Sequence, residues 1–323
     1  MTIDSVGIIG GGAWGTALGL VSARAGRRTI IYARDPSTVA AINEDRASPA
    51  HLGAPPPMAA TNDPGGLADC QMLIVAVPAQ EVRRAVQAMA PAIAPNTPIV
   101  IAAKGIELSS GKRLSEVVSE LAPGAEVAVL SGPSFATDVA KNLPTAVTLA
   151  ASRQELALDL CRALSNATFR PYAETDIVGV ELGGALKNVL AIASGIVTGR
   201  RLGASAGAAL VARGFAEMRR FAEAFGARPE TLMGLSGLGD IILSCSSSQS
   251  RNFSVGLALG AGRPIPNLLA EGVSTANIAR RLADDNDISM PVTSAVAAVL
   301  AGSLSVDDAT DALMSRPLRA EAD

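Results

Sequence analysis

Six short runs of β-branched and aliphatic residues punctuate the first half of the chain: VGIIG (6–10), RTIIYA (28–33), MLIVAV (72–77), PIVIAA (98–103), EVAVL (126–130) and TAVTLA (145–150). Segments with helical spacing, such as 79–90 and 113–121, separate them. Strands alternating with helices predict parallel βαβ units. Runs that stay apolar at every position, rather than at every second one, suit a sheet covered on both faces. The Pro-rich APPPM (54–58) reads as a loop. Beyond about residue 176 the strand signals cease, and Ala- and Leu-rich helical spacing takes over between Gly, Pro and Asn turns. The pattern therefore predicts an α/β fold: a doubly wound, mainly parallel sheet over residues 1–176, followed by an all-helical domain over 177–323. With no repeat and no low-complexity linker, the two halves should pack closely, with a ligand site in the cleft between them.

Composition narrows the class. At 323 residues there is room for about two domains, and 49% hydrophobic content with a mean hydropathy of +0.32 supplies ample core. The apolar runs are broken every few residues, and none reaches the roughly 18 residues of a spanning helix, so a soluble protein is expected. No basic n-region and apolar h-region precede the first strand, which points to the cytosol. Cys70, Cys161 and Cys245 are odd in number and widely spaced, as befits reduced thiols rather than a disulfide frame or a zinc site. A net charge of −3 with one Trp, two Tyr and six Phe argues against a nucleic-acid binder. A small anionic ligand remains compatible with that charge.

GGGAWG follows the first strand directly, with Gly10, Gly12 and Gly15 in G-x-G-x-x-G spacing and an apolar helix over 15–25 behind it. In that context the first glycine permits a tight turn, the second lets a pyrophosphate approach the backbone, and the third lets helix and strand pack closely. A Rossmann-type dinucleotide site is the reading. At the end of the second strand stands Arg34, followed by Asp35; an arginine there suits a 2′-phosphate, so NADP is favoured, with NAD possible.

Only Lys104, Lys112, Lys141 and Lys187 among the 27 basic residues are lysines. Lys187 lies in VGVELGGALKNVLAIASGIV (178–197), where its helical neighbours Gly183, Gly184, Leu190 and Ala191 cannot neutralise it. An unpaired buried ammonium is costly and tends to lose its proton, so a partner from elsewhere is expected. Asp240, after GLSGLG, is the most plausible one. The small Gly183 and Gly184 one turn before the lysine are expected to leave room beside it for a cofactor ring or substrate. AAKGIE (102–107) and LSGPSFA (130–136) follow strands, so Lys104 and the Ser131–Ser134 loop should converge on the ligand crevice. SSSQSRN reads as a helix start with Ser250 at the cap and Arg251 and Asn252 in the first turn, an anion site of free N–H groups, helix dipole and guanidinium, or else a plain serine cap.

Together GGGAWGTAL, AAKGIE, LSGPSFA, ELGGALKNVLAIASGI, GLSGLGDIILSCSSSQSRN and EGVSTA resemble the bacterial NAD(P)-dependent glycerol-3-phosphate dehydrogenase family across most of the chain. The resemblance implies reversible reduction of dihydroxyacetone phosphate to sn-glycerol 3-phosphate for phospholipid synthesis, in a cytoplasmic homodimer. It implies Lys187 as the catalytic acid/base, held by Asp240. Lys104, Gly132, Ser134, Asp240, Ser250, Arg251 and Asn252 would contact the phosphate substrate. Cofactor contacts would come from Ala13, Trp14, Arg34, Lys104, Ala136, Arg251, Leu269 and Glu271. His51, the only histidine, falls near a cofactor loop of the family but reads as a plain loop residue. The sequence departs from the family at Asp138, where glutamate is common, and in ASAGAALVARG (204–214), where relatives carry Asn and Lys before Ala-Ala-Leu. Two rival readings are a β-hydroxyacid dehydrogenase acting on a carboxylate, and a non-catalytic NADP-binding sensor.

Overall fold

The computed structural model describes residues 2–44 and 58–317. His51 and residues 54–57 of the Pro-rich loop lie outside the described residues. Eight strands form one sheet: β1 (Ser5–Ile9), β2 (Arg28–Tyr32), β3 (Ala59–Thr61), β4 (Met72–Val75), β5 (Pro98–Ile101), β6 (Glu126–Ser131), β7 (Thr145–Ala151) and β8 (Phe169–Glu174). Their order is β3-β2-β1-β4-β5-β6-β7-β8. Strands β1 to β6 are parallel, β7 runs antiparallel to β6, and β8 is parallel to β7.

Six of these strands coincide with the six apolar runs. The purely parallel βαβ pattern fails at β7, because the chain between β6 and β7 contains only the short helix Ala136–Ala140 and turns back through Asn142, whose φ is +62°. A parallel crossover needs a longer connection. The two further strands escaped the pattern. β3 is three residues long, and β8 carries Pro171 and alternates buried Phe169 and Pro171 with exposed Arg170 and Tyr172. That is edge-strand chemistry, where proline's missing donor faces no neighbour.

Successive residues of a strand point to opposite faces, and the core divides accordingly. Ile8 joins Leu18, Val100 and Phe169 on one side of the sheet, while Ile9 joins Val75, Val82 and Ile101 on the other. A third cluster, built on Leu186, Leu190, Phe221 and Ile278, fills the helical half.

The helix Ile177–Gly199 organises that half. Asp176 caps it by accepting from Gly179 N at 2.8 Å. Contrary to the expectation that no segment is long and apolar enough to span a membrane, this 23-residue helix meets the test by length and composition. Its apolar window is 89% buried within the protein, which makes it a core helix. Helix Arg251–Gly260 crosses it at very close range: a Cβ added to Gly256 would stand 1.9 Å from Ile192 O, so only glycine permits this crossing. The buried Glu181 on the central helix accepts from Ser115 N (2.9 Å) and from its hydroxyl, tying helix Leu114–Leu121 of the sheet half to the helical half.

Candidate active site

The glycine turn has the geometry a dinucleotide requires. Gly10 adopts φ +126°, and a Cβ on Gly15 would lie 1.9 Å from Gly10 O, so the turn and the strand–helix packing both exclude a side chain. A Cβ on Gly12 would meet nothing within 4 Å, which leaves the face above it open to a phosphate. Helix Ala13–Arg24 begins there without a side-chain cap, so its first N–H groups await an acceptor. Trp14 anchors the turn to the end of β5 by donating Nε1–H to Ala102 O at 3.2 Å. These residues fit a bound pyrophosphate.

At the end of β2, Asp35 is taken up as the cap of helix Pro36–Asn43, accepting from Ser37 N at 3.0 Å. Arg34 is exposed, its Nη1 3.9 Å from Glu81 Oε2, the oxygen that also pairs with Arg84.

The centre of the site is a carboxylate held between two ammoniums. Asp240 is 1% exposed. Its Oδ1 takes Lys187 Nζ at 2.9 Å, and its Oδ2 takes Lys104 Nζ at 2.5 Å. Lys187 Nζ also donates to Ser244 Oγ at 2.7 Å, and Ser244 in turn donates to Asp240 Oδ1 at 3.2 Å. Lys104 Nζ reaches Gly132 O at 3.0 Å. Gly132, at φ +139°, also accepts from Ser134 Oγ at 3.0 Å.

Three elements converge here because each ends in a break: β5 runs out just before Lys104, β6 ends at Ser131, and a π-helical turn (Leu235–Gly239) delivers Asp240 to the start of helix Asp240–Cys245. Burial pushes Asp240 up, but the charges of Lys104 and Lys187 outweigh it and hold the carboxyl below its ordinary value. Burial pushes Lys104 down to about 8; the Lys187 charge adds to this and Asp240 opposes it.

The structure corrects the reading of Gly183 and Gly184. The space beside them is filled by protein. A Cβ on Gly183 would lie 2.9 Å from Ser236 O, and one on Gly184 would lie 2.4 Å from Ser131 Oγ. The glycines let the central helix press against β6 and the turn before Asp240, which is how Lys187 reaches its partner; they do not shape a ligand pocket.

Ser250 caps helix Arg251–Gly260, accepting from Phe253 N at 3.3 Å. Asn252 donates Nδ2–H to Asn188 Oδ1 at 2.8 Å and accepts from Gly272 N at 2.9 Å, so much of its amide is structural. Arg251 is exposed, and its charge acts on Glu271. Glu271 accepts from Ala79 N at 3.0 Å, linking the helical half to the segment after β4; burial pushes its carboxyl up. Leu269 is 48% exposed. Ala136 opens its helix behind Phe135. Neither takes part in the lysine cluster. Ser244 and Asn188 were missed in the sequence, although Asp240 and Ser244 have the i, i+4 spacing of one helix face and Asn188 adjoins Lys187.

A glycine-turn sheet whose strand ends face a buried Lys–Asp–Lys cluster defines a nucleotide-dependent oxidoreductase of two-domain type. The family model described as the NAD-dependent glycerol-3-phosphate dehydrogenase N-terminus matches residues 5–157, and that of its C-terminus matches 176–311. The chain belongs to the NAD-dependent glycerol-3-phosphate dehydrogenase family. A glycerol-3-phosphate dehydrogenase (NAD(P)+) of Bradyrhizobium sp. (strain ORS 278) is 54% identical over 98% of both chains. That of Brucella ovis is 51% identical over the same share. The crystal structure of glycerol-3-phosphate dehydrogenase from Coxiella burnetii superposes with a TM-score of 0.91 at 37% identity, covering 97% of this chain and 99% of that one.

Proposed function

We propose that this chain reduces dihydroxyacetone phosphate to sn-glycerol 3-phosphate with NADPH or NADH, reversibly, and so supplies glycerophospholipid synthesis. The observation that carries the reading is the Lys187–Asp240–Lys104 cluster at the junction of sheet and helices. A bound nicotinamide supplies the hydride that C2 of the substrate accepts. Gly10, Gly12, Ala13, Trp14 and Gly15 would hold the dinucleotide, with Arg34 on the 2′-phosphate and Ala136, Leu269 and Glu271 along its length.

Lys187 donates the proton that the carbonyl oxygen needs, and takes it back in the reverse direction. Asp240 holds the ammonium in place and balances its charge. Lys104, Gly132 and Ser134 line the substrate's side of the cluster, and Lys104 adds positive charge where the phosphate dianion must come. Ser250, Arg251 and the remaining N–H of Asn252 receive that phosphate at a helix N-terminus, aligning C2 for transfer.

The boundary between cofactor and substrate domains belongs at 176/177, between β8 and the central helix. The exposed small residues Ala204, Ser205, Ala208 and Ala209 support a close-packed homodimer face, testable by light scattering. The free thiols of Cys70, Cys161 and Cys245 support a cytoplasmic location.

The relatives from Bradyrhizobium and Brucella, at 51–55% identity, carry the glycerol-3-phosphate dehydrogenase name, which favours this reading over the β-hydroxyacid alternative. The deciding assay follows nicotinamide absorbance with purified protein, NADPH or NADH, and either dihydroxyacetone phosphate or hydroxy acids. Oxidation of the cofactor with the ketone phosphate supports the proposal. Turnover of hydroxy acids alone, or cofactor binding without turnover, overturns it.

A further inference from the structure

AAKGIE (102–107) carries Lys104, yet its glutamate takes no part in the lysine cluster. Lys104 lies between two anchored stretches of backbone. Before it, Ala102 closes the sheet, donating its N–H to Val75 O at 2.9 Å and accepting from Trp14. After it comes a loop that bonds to itself, from Glu107 N to Lys112 O at 3.0 Å and from Gly111 N to Glu107 O at 2.9 Å. Side chains from the segment after β4 decide where that loop sits on the sheet half.

Gln80, in the helical turn Ala79–Glu81, grips the loop with both ends of its amide. Its Nε2–H donates to Ile106 O at 2.9 Å, and its Oε1 accepts from Leu108 N at 2.9 Å. Between those two residues stands Glu107, 5% exposed. Its carboxylate accepts Nε–H (2.8 Å) and Nη2–H (2.9 Å) from Arg83 and the hydroxyl of Ser110 (2.5 Å). Gly105 packs flush on the same segment: a Cβ there would lie 2.6 Å from the Cβ of Ala79. Ile106, by contrast, is buried in the core of the helical half with Leu182 and Leu186. The loop therefore straddles both halves, and Lys104 at its head reaches across to Asp240.

We infer that Gln80, supported by the Arg83–Glu107 pair, is a positioning residue for Lys104: it sets where that ammonium stands between Asp240 and the substrate phosphate. Gln80 touches no reacting group and acts only through the loop. An apolar side chain of similar size in its place leaves the Ile106 carbonyl and the Leu108 N–H without their partner. A loop released in this way lets water reach Lys104, and a hydrated ammonium returns toward its ordinary pKa. The kinetic consequence rests on the function proposed above; the position of Lys104 does not.

The test compares full-length Gln80→Leu with the parent in two measurements. Competitive acetylation read by mass spectrometry, with exposed Lys141 as internal reference, gives the pH midpoint of Lys104 without any substrate. Steady-state kinetics with NADPH and dihydroxyacetone phosphate give KM and kcat. Expected for Gln80→Leu is a Lys104 midpoint moved upward from about 8, by about half a pH unit or more. KM for the ketone phosphate should rise about fivefold, with kcat within about twofold of the parent and NADPH affinity unchanged. Glu107→Gln should act in the same direction. Gln80 is exposed, so its variant decides if Glu107→Gln fails to fold. A merely structural role lowers the melting temperature and leaves midpoint and KM at their parent values, and that result overturns the inference. So does a fall in kcat or NADPH affinity as large as the change in KM. A raised midpoint in the variant, together with no turnover of the ketone phosphate by the parent, upholds the positioning role and refutes the substrate reading instead.

Discussion

Lys187 Nζ stands 2.9 Å from Oδ1 of Asp240, a residue 53 positions later in the chain, and both are buried. The pair answers the charge that the apolar central helix cannot answer from its own faces. Because the opposite oxygen binds Lys104, the aspartate serves two cations at once.

Removing Lys187 should therefore separate chemistry from binding. Lys187→Ala is expected to lower kcat by roughly 10²–10⁴-fold while NADPH binding, followed by nicotinamide fluorescence, stays near the parent value. Normal turnover would refute the acid/base role.

Asp240→Asn leaves the buried Lys187 and the half-buried Lys104 ammoniums without their counter-charge. The expected cost is on the order of 3–5 kcal/mol of stability, the range for breaking a buried pair by deleting one partner. The double variant Asp240→Asn/Lys104→Met should recover part of the lost melting temperature. A single variant as stable as the parent would show that the cluster does not depend on the carboxylate.

Ser244 both receives a hydrogen bond from Lys187 and donates one to Asp240. Ser244→Ala should lower kcat by about tenfold with cofactor affinity unchanged, and Ser244→Thr should restore most of it. An unchanged kcat in the alanine variant would reduce the hydroxyl to a packing role.

Lys104 titrates near pH 8 rather than at its ordinary 10.5. As pH rises through about 8 its positive charge is lost, so KM for the ketone phosphate should rise there, and Lys104→Arg should flatten that limb. For stability the sign is opposite. Folding lowers this pKa, so between about 8 and 10.5 the folded chain holds fewer protons than the unfolded one, and this group's contribution grows with pH. A pH-independent KM between 7 and 9.5 in the parent enzyme would sink the assignment.

Arg34 and Arg84 converge on one oxygen of Glu81. A 2′-phosphate must compete with that carboxylate for Arg34. Arg34→Asp should move the kcat/KM preference from NADPH toward NADH, and Glu81→Gln should tighten NADPH binding by a few-fold at low salt without affecting NADH. An unaltered cofactor ratio in both variants would remove this corner from the 2′-phosphate site.

Much of this molecule was legible before any coordinates. The six apolar runs became strands, and the glycine turn sits between β1 and its helix. Ser250 caps the helix whose first turn holds Arg251 and Asn252. These features are local, decided within a few residues by side-chain period, glycine's backbone freedom and capping chemistry. Local reasoning stopped at β3 and β8, where three residues or an interposed proline carry too little pattern. It erred at Gly183 and Gly184 because the same absence of a Cβ serves a pocket or a close helix contact, and one chain segment cannot say which surface arrives.

By itself, then, the sequence determined six of the eight strands and their order along the chain, the dinucleotide turn and the isolation of Lys187 in an apolar helix. Tertiary structure alone decided that Asp240, the partner expected for Lys187, also takes Lys104, and that Ser244 completes the cluster. The reason is physical. Hydrogen bonds and ion pairs act over about 3–4 Å between groups that are dozens of residues apart, and only the packed fold sets those distances.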